Sequence, residues 1–109
     1  MIAKQVMRWI NMDKKIPPQI EAALSEINQN YSGNSAKQQC ARLLAALRIT
    51  NVTTFLAMRF LSIYHAPARA KELRIAGHDL ATVWVKQVDE NGVMHRIGMY
   101  VLRGENHAK

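Results

Sequence analysis

With 109 residues, 49% of them apolar, the chain has room for one domain with a modest core and is too hydrophobic for general disorder. Its formal charge is +7, from 15 Lys and Arg against 8 Asp and Glu. No apolar run approaches the roughly 18 residues that span a bilayer, and a single cysteine, Cys40, excludes a disulfide framework or a Cys-rich metal site.

The opening MIAKQVMRWINMDKK is interrupted by charge too often for a signal peptide, so the chain is expected in a reducing cytoplasm without a membrane partner. Residues 1–34 hold four basic and three acidic groups, a balance of +1; residues 35–109 hold eleven and five, a balance of +6. The cationic excess belongs to the second stretch and favours a polyanionic partner there.

In chain order, residues 1–16 have the makings of a short amphipathic helix around Val6, Met7, Trp9 and Ile10, weakened by Asn11, Lys14 and Lys15. Pro17-Pro18 opens a better one, in which Ile20, Ala23, Leu24 and Ile27 keep helical spacing to about Gln29. The run Asn30 to Asn34 is a break rich in turn residues. Residues 1–34 are read as an extension that either packs on the core or pairs two subunits, since so short a stripe must dock on something. From Ser35 to Arg48 the spacing predicts a secure helix, with Ser35 and Gln38 as a capping box. Ala36, Cys40, Leu43, Leu44 and Leu47 form its apolar face, with Lys37 and Arg42 off the stripe and solvated. Cys40 reads as a small buried hydrophobe.

Thr50-Asn51-Val52 makes a short connection with room for a few strand residues. Two short helices follow. The first runs from about Thr54 to Leu61, capped by Thr53 or Thr54, with Phe55, Ala57, Met58 and Leu61 suited to a buried side. The second starts at Ala66-Pro67 and ends at Gly77, Pro suiting the first turn and Gly the left-handed closure. Helix, tight turn and helix is the arrangement that reads DNA. The period then changes to two. Leu80, Thr82 and Trp84 alternate with Ala81, Val83 and Val85, and Asn91-Gly92 signals a type I′ hairpin returning from about Val93 to Leu102. Tyr100, Leu102 and Trp84 are expected on the face that packs against the helices. The remaining Glu105 to Lys109 read as a frayed polar tail.

Residues 35–102 resemble a winged helix-turn-helix domain, and more narrowly the small helix-turn-helix proteins of phage and prophage genomes. The resemblance rests on Ser35-Ala36-Lys37-Gln38-Gln39-Cys40-Ala41-Arg42-Leu43-Leu44, Val52-Thr53-Thr54 and Ala68-Arg69-Ala70-Lys71-Glu72-Leu73-Arg74. It continues in Ala76-Gly77-His78-Asp79-Leu80 and Tyr100-Val101-Leu102. It implies a mainly α fold with a C-terminal β-hairpin, divided into an N-terminal extension (1–34), a winged helix-turn-helix domain (35–103) and a polar tail (104–109). The chain departs from the family at Ser62, where such domains usually have Gly, and at Leu56, where they tend to have Glu.

On this reading helix 66–76 enters the major groove of double-stranded DNA. Ala70 and Leu73, with Ala66 and Gly77, face the core, while Ala68, Lys71, Glu72 and Ile75 face out, flanked by Arg69 and Arg74. Arg69 is the candidate base reader, since Arg bidentate to guanine is the commonest specific contact. Lys71 is a DNA contact and Arg74 meets a phosphate or a carboxylate of the protein. His65 is a phosphate donor, and Lys86, His95 and Arg96 flank the tip of an 82–100 wing that contacts the backbone.

Nothing suggests an enzyme, a cofactor or a metal. His65, His78, His95 and His107 lack ligand spacing, and there is no phosphate-binding glycine loop or nucleophile elbow. The expected function is that of a DNA-binding regulator, as a homodimer through residues 1–34. Two other uses of the fold compete: a protein-interaction module, such as a small phage-type inhibitor or adaptor, and an architectural recombination factor. Exposure of Leu56, Met58 or Trp9 would favour the protein partner.

Overall fold

A computed structural model describes residues 16–106 together with the backbone of Ile10 and Asn11. In order the elements are β1 (Ile10–Asn11), α1 (Pro18–Asn30), α2 (Ala36–Leu47), β2 (Val52–Thr53), α3 (Thr54–Leu61), α4 (Ala66–Ile75), β3 (Asp79–Val88) and β4 (Met94–Gly104). They form a helical layer and one sheet of order β1-β3-β4-β2. The β3–β4 hairpin is antiparallel, β2 closes one edge antiparallel to β4, and β1 runs parallel to the tip of β3, Ile10 opposite Gln87.

Local chemistry sets the helix ends. Ser35 Oγ accepts the Gln38 N–H at 3.1 Å and Thr53 Oγ1 accepts the Leu56 N–H at 3.0 Å, as the caps of α2 and α3. At the end of α4 the Gly77 N–H reaches the Arg74 carbonyl (2.9 Å) and the His78 N–H the Leu73 carbonyl (3.1 Å). Gly77 has φ +103°, so this is a left-handed closure of the Schellman type. Ser62, in the turn between α3 and α4, has φ 56° and ψ 38°. It is the only non-glycine residue with positive φ among those described. The departure from Gly at this position therefore leaves a strained serine at the bend, at a cost on the order of 1 kcal/mol.

One core unites the helices and the base of the hairpin. Leu43, Ala46 and Leu47 of α2, Ala57 and Leu61 of α3, Ala66, Ala70 and Leu73 of α4, and Leu80 and Tyr100 of the sheet pack together. Leu24 of α1 is fully buried in the same cluster, with Ile20 and Ile27 against it. Thus α1 spends its apolar stripe on the domain's own core, against α2 and α3. Leu56 also packs on this core, whereas Met58 is exposed.

Several expectations are corrected. Arg42 is 2% exposed. Its Nε donates to the Leu61 carbonyl (2.7 Å) and Nη1 to the carbonyls of Tyr31 (2.6 Å) and Gly33 (2.8 Å), which ties the α1–α2 loop to the end of α3. Those three carbonyls lie at the ends of other elements and hold it inside. Trp84 is 57% exposed and lies outside the core. The register places it opposite Gly98, beyond the reach of the helices, while Tyr100 and Leu102 occupy the packed end of the same face.

The hairpin turn is not type I′, because Gly92 (φ +81°) is left-handed and Asn91 is not. The Asp89 carboxylate accepts the Asn91 and Val93 N–H groups, both at 2.9 Å, and the Gly92 N–H reaches the Asp89 carbonyl, which gives the longer hairpin loop with one left-handed glycine. Glu105 and Asn106 are docked, not frayed. Glu105 takes a double hydrogen bond from Arg48, and Asn106 bonds His78 Nδ1 and the Ala76 carbonyl. Ile10 and Asn11 are a strand where a helix was expected; Val6, Met7, Trp9, Lys14, Lys15 and His107 lie outside the described residues.

Candidate nucleic-acid interface

The helix-turn-helix is built by α3, the Ser62 bend and α4. Ala66, Ala70 and Leu73 bury one side of α4, so at about 100° per residue the opposite meridian carries Ala68 and Ile75, with Lys71 beside it. Ile75 is 76% exposed, and Tyr64, just before the helix, is 78% exposed. His65, at the N-cap, is exposed and makes no side-chain capping bond.

The expected flanking arginines behave differently from one another. Arg69 turns toward α2. Its side chain is only 17% exposed, with Nε 2.9 Å from Glu72 Oε1 and an aligned hydrogen bond of 3.0 Å from Nη2 to Oε2. The Nε contact is a charge contact without an aligned hydrogen bond. Cys40 Sγ donates to the same carboxylate at 3.2 Å. Burial first, then the hydrogen bond and charge of Glu72, push the Cys40 thiol up to about 11, so it is a protonated donor at neutral pH. Arg69, the expected base reader, is therefore largely buried against Glu72 in the α2–α4 seam, while the Glu72 side chain stays partly exposed.

Arg74 turns the other way, to the wing. Its Nε donates to the Leu80 carbonyl (3.0 Å) and its Nη2 to Thr82 Oγ1 (2.7 Å), so it meets neither carboxylate of the protein nor open solvent alone. It clips α4 to β3. The hairpin's alternation then decides which charges share that side. Thr82 pairs with Tyr100, Trp84 with Gly98 and Lys86 with Arg96, all on the face that Arg74 caps. The Arg96 guanidinium lies 4.8 Å from the centre of the Trp84 ring, a cation–π stack at the wing. Gly98 leaves the space beneath, since a Cβ there would sit 3.3 Å from Thr82 Cγ2 and 3.9 Å from the Trp84 ring.

His95 sits on the other face, opposite the buried Gln87. Its Nε2 lies 2.8 Å from Asp89 Oδ2 and its ring meets Phe55 edge-on. It buttresses the turn and does not flank the cationic tip with Lys86 and Arg96. The His95 bond, then the Val93 and Asn91 amides, hold the Asp89 carboxyl below its usual range.

Charge pairing sharpens this division. All five acidic side chains of residues 35–109 are engaged: Glu72 with Arg69, Asp79 with Arg103, Asp89 with His95, Glu90 with Arg59 and Glu105 with Arg48. Among the described residues of that stretch, the cations without a carboxylate partner are Lys37, Arg42, Lys71, Arg74, Lys86 and Arg96. Four of the six lie on α4 and the adjoining wing face.

Residues 38–105 match the family model of a winged helix-turn-helix domain. The chain belongs to the winged helix-turn-helix domain family. No curated protein and no solved structure matches it. The winged helix-turn-helix match begins inside α2, so α1 and β1 are additions to the matched segment, one completing the core and the other lining the wing's edge. Among the described residues no helix is long and apolar enough to cross a membrane, and no group of three His, Cys, Asp or Glu side chains is placed to hold a metal ion.

Two exposed aromatics, Tyr64 and Trp84, carry no sequence signal of their exposure: Tyr64 stands in a turn without periodicity, and Trp84 alternates in step with the core residue Leu80. Tyr64 follows the left-handed bend at Ser62 and is exposed, and Trp84 lies opposite Gly98, outside the core formed by Leu80 and Tyr100.

Proposed function

We propose that the chain binds double-stranded DNA as a cytoplasmic transcriptional regulator of phage or prophage type. It lays α4 in the major groove and the Trp84, Lys86 and Arg96 face of the wing along the backbone. The observation that carries this reading is the charge pairing. Each of the five acidic side chains of residues 35–106 has an arginine or histidine partner, and most of the cations left over lie on α4 and the wing face that Arg74 joins to it. Lys71 meets base edges or phosphate from α4; Arg74, Lys86 and Arg96 supply positive charge beside it; His65 lies at the helix start, where a phosphate is met. Ala68 allows close approach to the groove floor. Arg69 and Glu72 hold α4 at its angle to α2, and His95 stiffens the wing. Phage and prophage regulators enter through the resemblance of residues 35–102.

The test is duplex binding over a range of salt concentration. Four phosphate contacts correspond to a log–log slope of about −3.6, at roughly 0.9 per contact. Absence of duplex binding, or binding indifferent to salt, would overturn the reading. A protein partner on the same face is the second reading, favoured by the exposure of Tyr64, Ile75 and Trp84. Salt-insensitive capture of a protein would select it.

A further inference from the structure

The outward meridian of α4 is unusual for a helix that reads a groove by hydrogen bonding. The two side chains best suited to pair with base edges, Arg69 and Glu72, are bound to each other, and the Glu72 carboxylate also accepts from Cys40 in the seam with α2. What remains on the meridian is Ala68 and Ile75, with the ammonium of Lys71 between them. A 76% exposed isoleucine cannot gain a hydrogen bond from a base, and it stays unfavourably hydrated until an apolar group covers it. The one apolar group that a base pair offers in the major groove is the C5 methyl of thymine.

We infer that this surface reads thymine methyl groups, with Ile75 as the principal specificity-determining residue and Ala68 as the second. The inference rests on the DNA reading above and narrows it: recognition by α4 is through apolar contact, and the cations around it supply position. Ala68 and Ile75 are seven residues apart, about 10.5 Å along the helix. At about 3.4 Å per step along a strand, that separation corresponds to about three base steps when the helix follows the groove.

The experiment uses the full chain. A preferred duplex is selected from a randomised pool, and each thymine in it is replaced in turn by deoxyuridine, which removes only the methyl group. One or two replacements, about three steps apart, should each weaken binding about fourfold, the effect of one methyl-sized apolar contact. Ile75→Ala, at an exposed site that leaves the core untouched, should weaken binding to the thymine duplex by a similar factor and erase discrimination at one of those positions. Lys71→Ala should lower affinity while keeping the discrimination. Equal affinity for thymine and deoxyuridine throughout would overturn the inference while leaving DNA binding standing, as would wild-type discrimination by Ile75→Ala. Failure to select any duplex would sink the DNA reading, and this inference with it.

Discussion

The α2–α4 seam and the α4–wing face are built from the same residue types and put to opposite uses. In the seam Arg69 is held by the Glu72 carboxylate, and on the other side of α2 Arg42 is held by three backbone carbonyls of the α1–α2 loop and the end of α3. On the wing face Lys71, Lys86 and Arg96 have no carboxylate among the described residues, and Arg74 is held only by neutral oxygens. The distribution of acceptors, more than net charge, decides which cations of this chain stay available. Loop and helix-end carbonyls draw guanidinium groups inward, and where acidic side chains are spent elsewhere the remaining cations stay available.

The largest effect should come from cutting the tie that Arg42 makes between the α1–α2 loop and the end of α3. Arg42→Ala leaves the carbonyls of Tyr31, Gly33 and Leu61 without their donor and should cost about 3 kcal/mol in urea unfolding, at the scale of hydrogen bonds to a charged group. Where the variant remains folded, its salt slope on duplex DNA should equal that of the parent. A changed slope would place Arg42 on the binding face. Next, Lys86→Ala combined with Arg96→Ala should flatten that slope by about 1.8. His95→Ala, on the opposite face of the same hairpin, should leave it unaltered. Equal effects from both would erase the distinction between the faces.

Ser62→Gly should stabilise the chain by about 1 kcal/mol by relieving the positive φ at the bend. The thermal midpoint reports it, and no gain would mean that the serine side chain offsets its own strain. The smallest effect lies in acid. The carboxyl of Asp89 is lowered in the folded state by His95 and the turn amides, so its contribution is present above its unperturbed value of 3.8 and is lost as pH falls through the depressed value. The difference in thermal midpoint between the parent and Asp89→Asn should shrink below about pH 4. A constant difference across that range would remove Asp89 from the account of the turn.

Elements governed by neighbouring residues were legible in the sequence. The caps at Ser35 and Thr53 and the Pro-started α4 with its Gly77 closure follow from local chemistry, whereas the left-handed bend at Ser62 was signalled only by the resemblance, which has Gly there. Features decided at a distance were not. Arg42 sits off the apolar stripe of α2 in sequence, yet its partners are 9, 11 and 19 residues away, so periodicity alone made it solvated. Trp84 shares the alternating face of Leu80, and only the register across the hairpin shows that the helices end before reaching it. The docking of Glu105 and Asn106 likewise depends on partners many residues back, Arg48 and His78. At the site, the spacing of Arg69 and Glu72 permitted an intrahelical pair, but their common orientation toward Cys40 required the angle between α2 and α4.

The clip that Arg74 makes between α4 and the first strand of the hairpin has a mechanical corollary. With that joint already closed in the unbound chain, helix and hairpin travel as one caliper whose jaws are set before contact. On the proposed DNA reading, a site stretched or compressed by a single base step should bind more weakly, because moving helix and hairpin apart would break both Arg74 bonds.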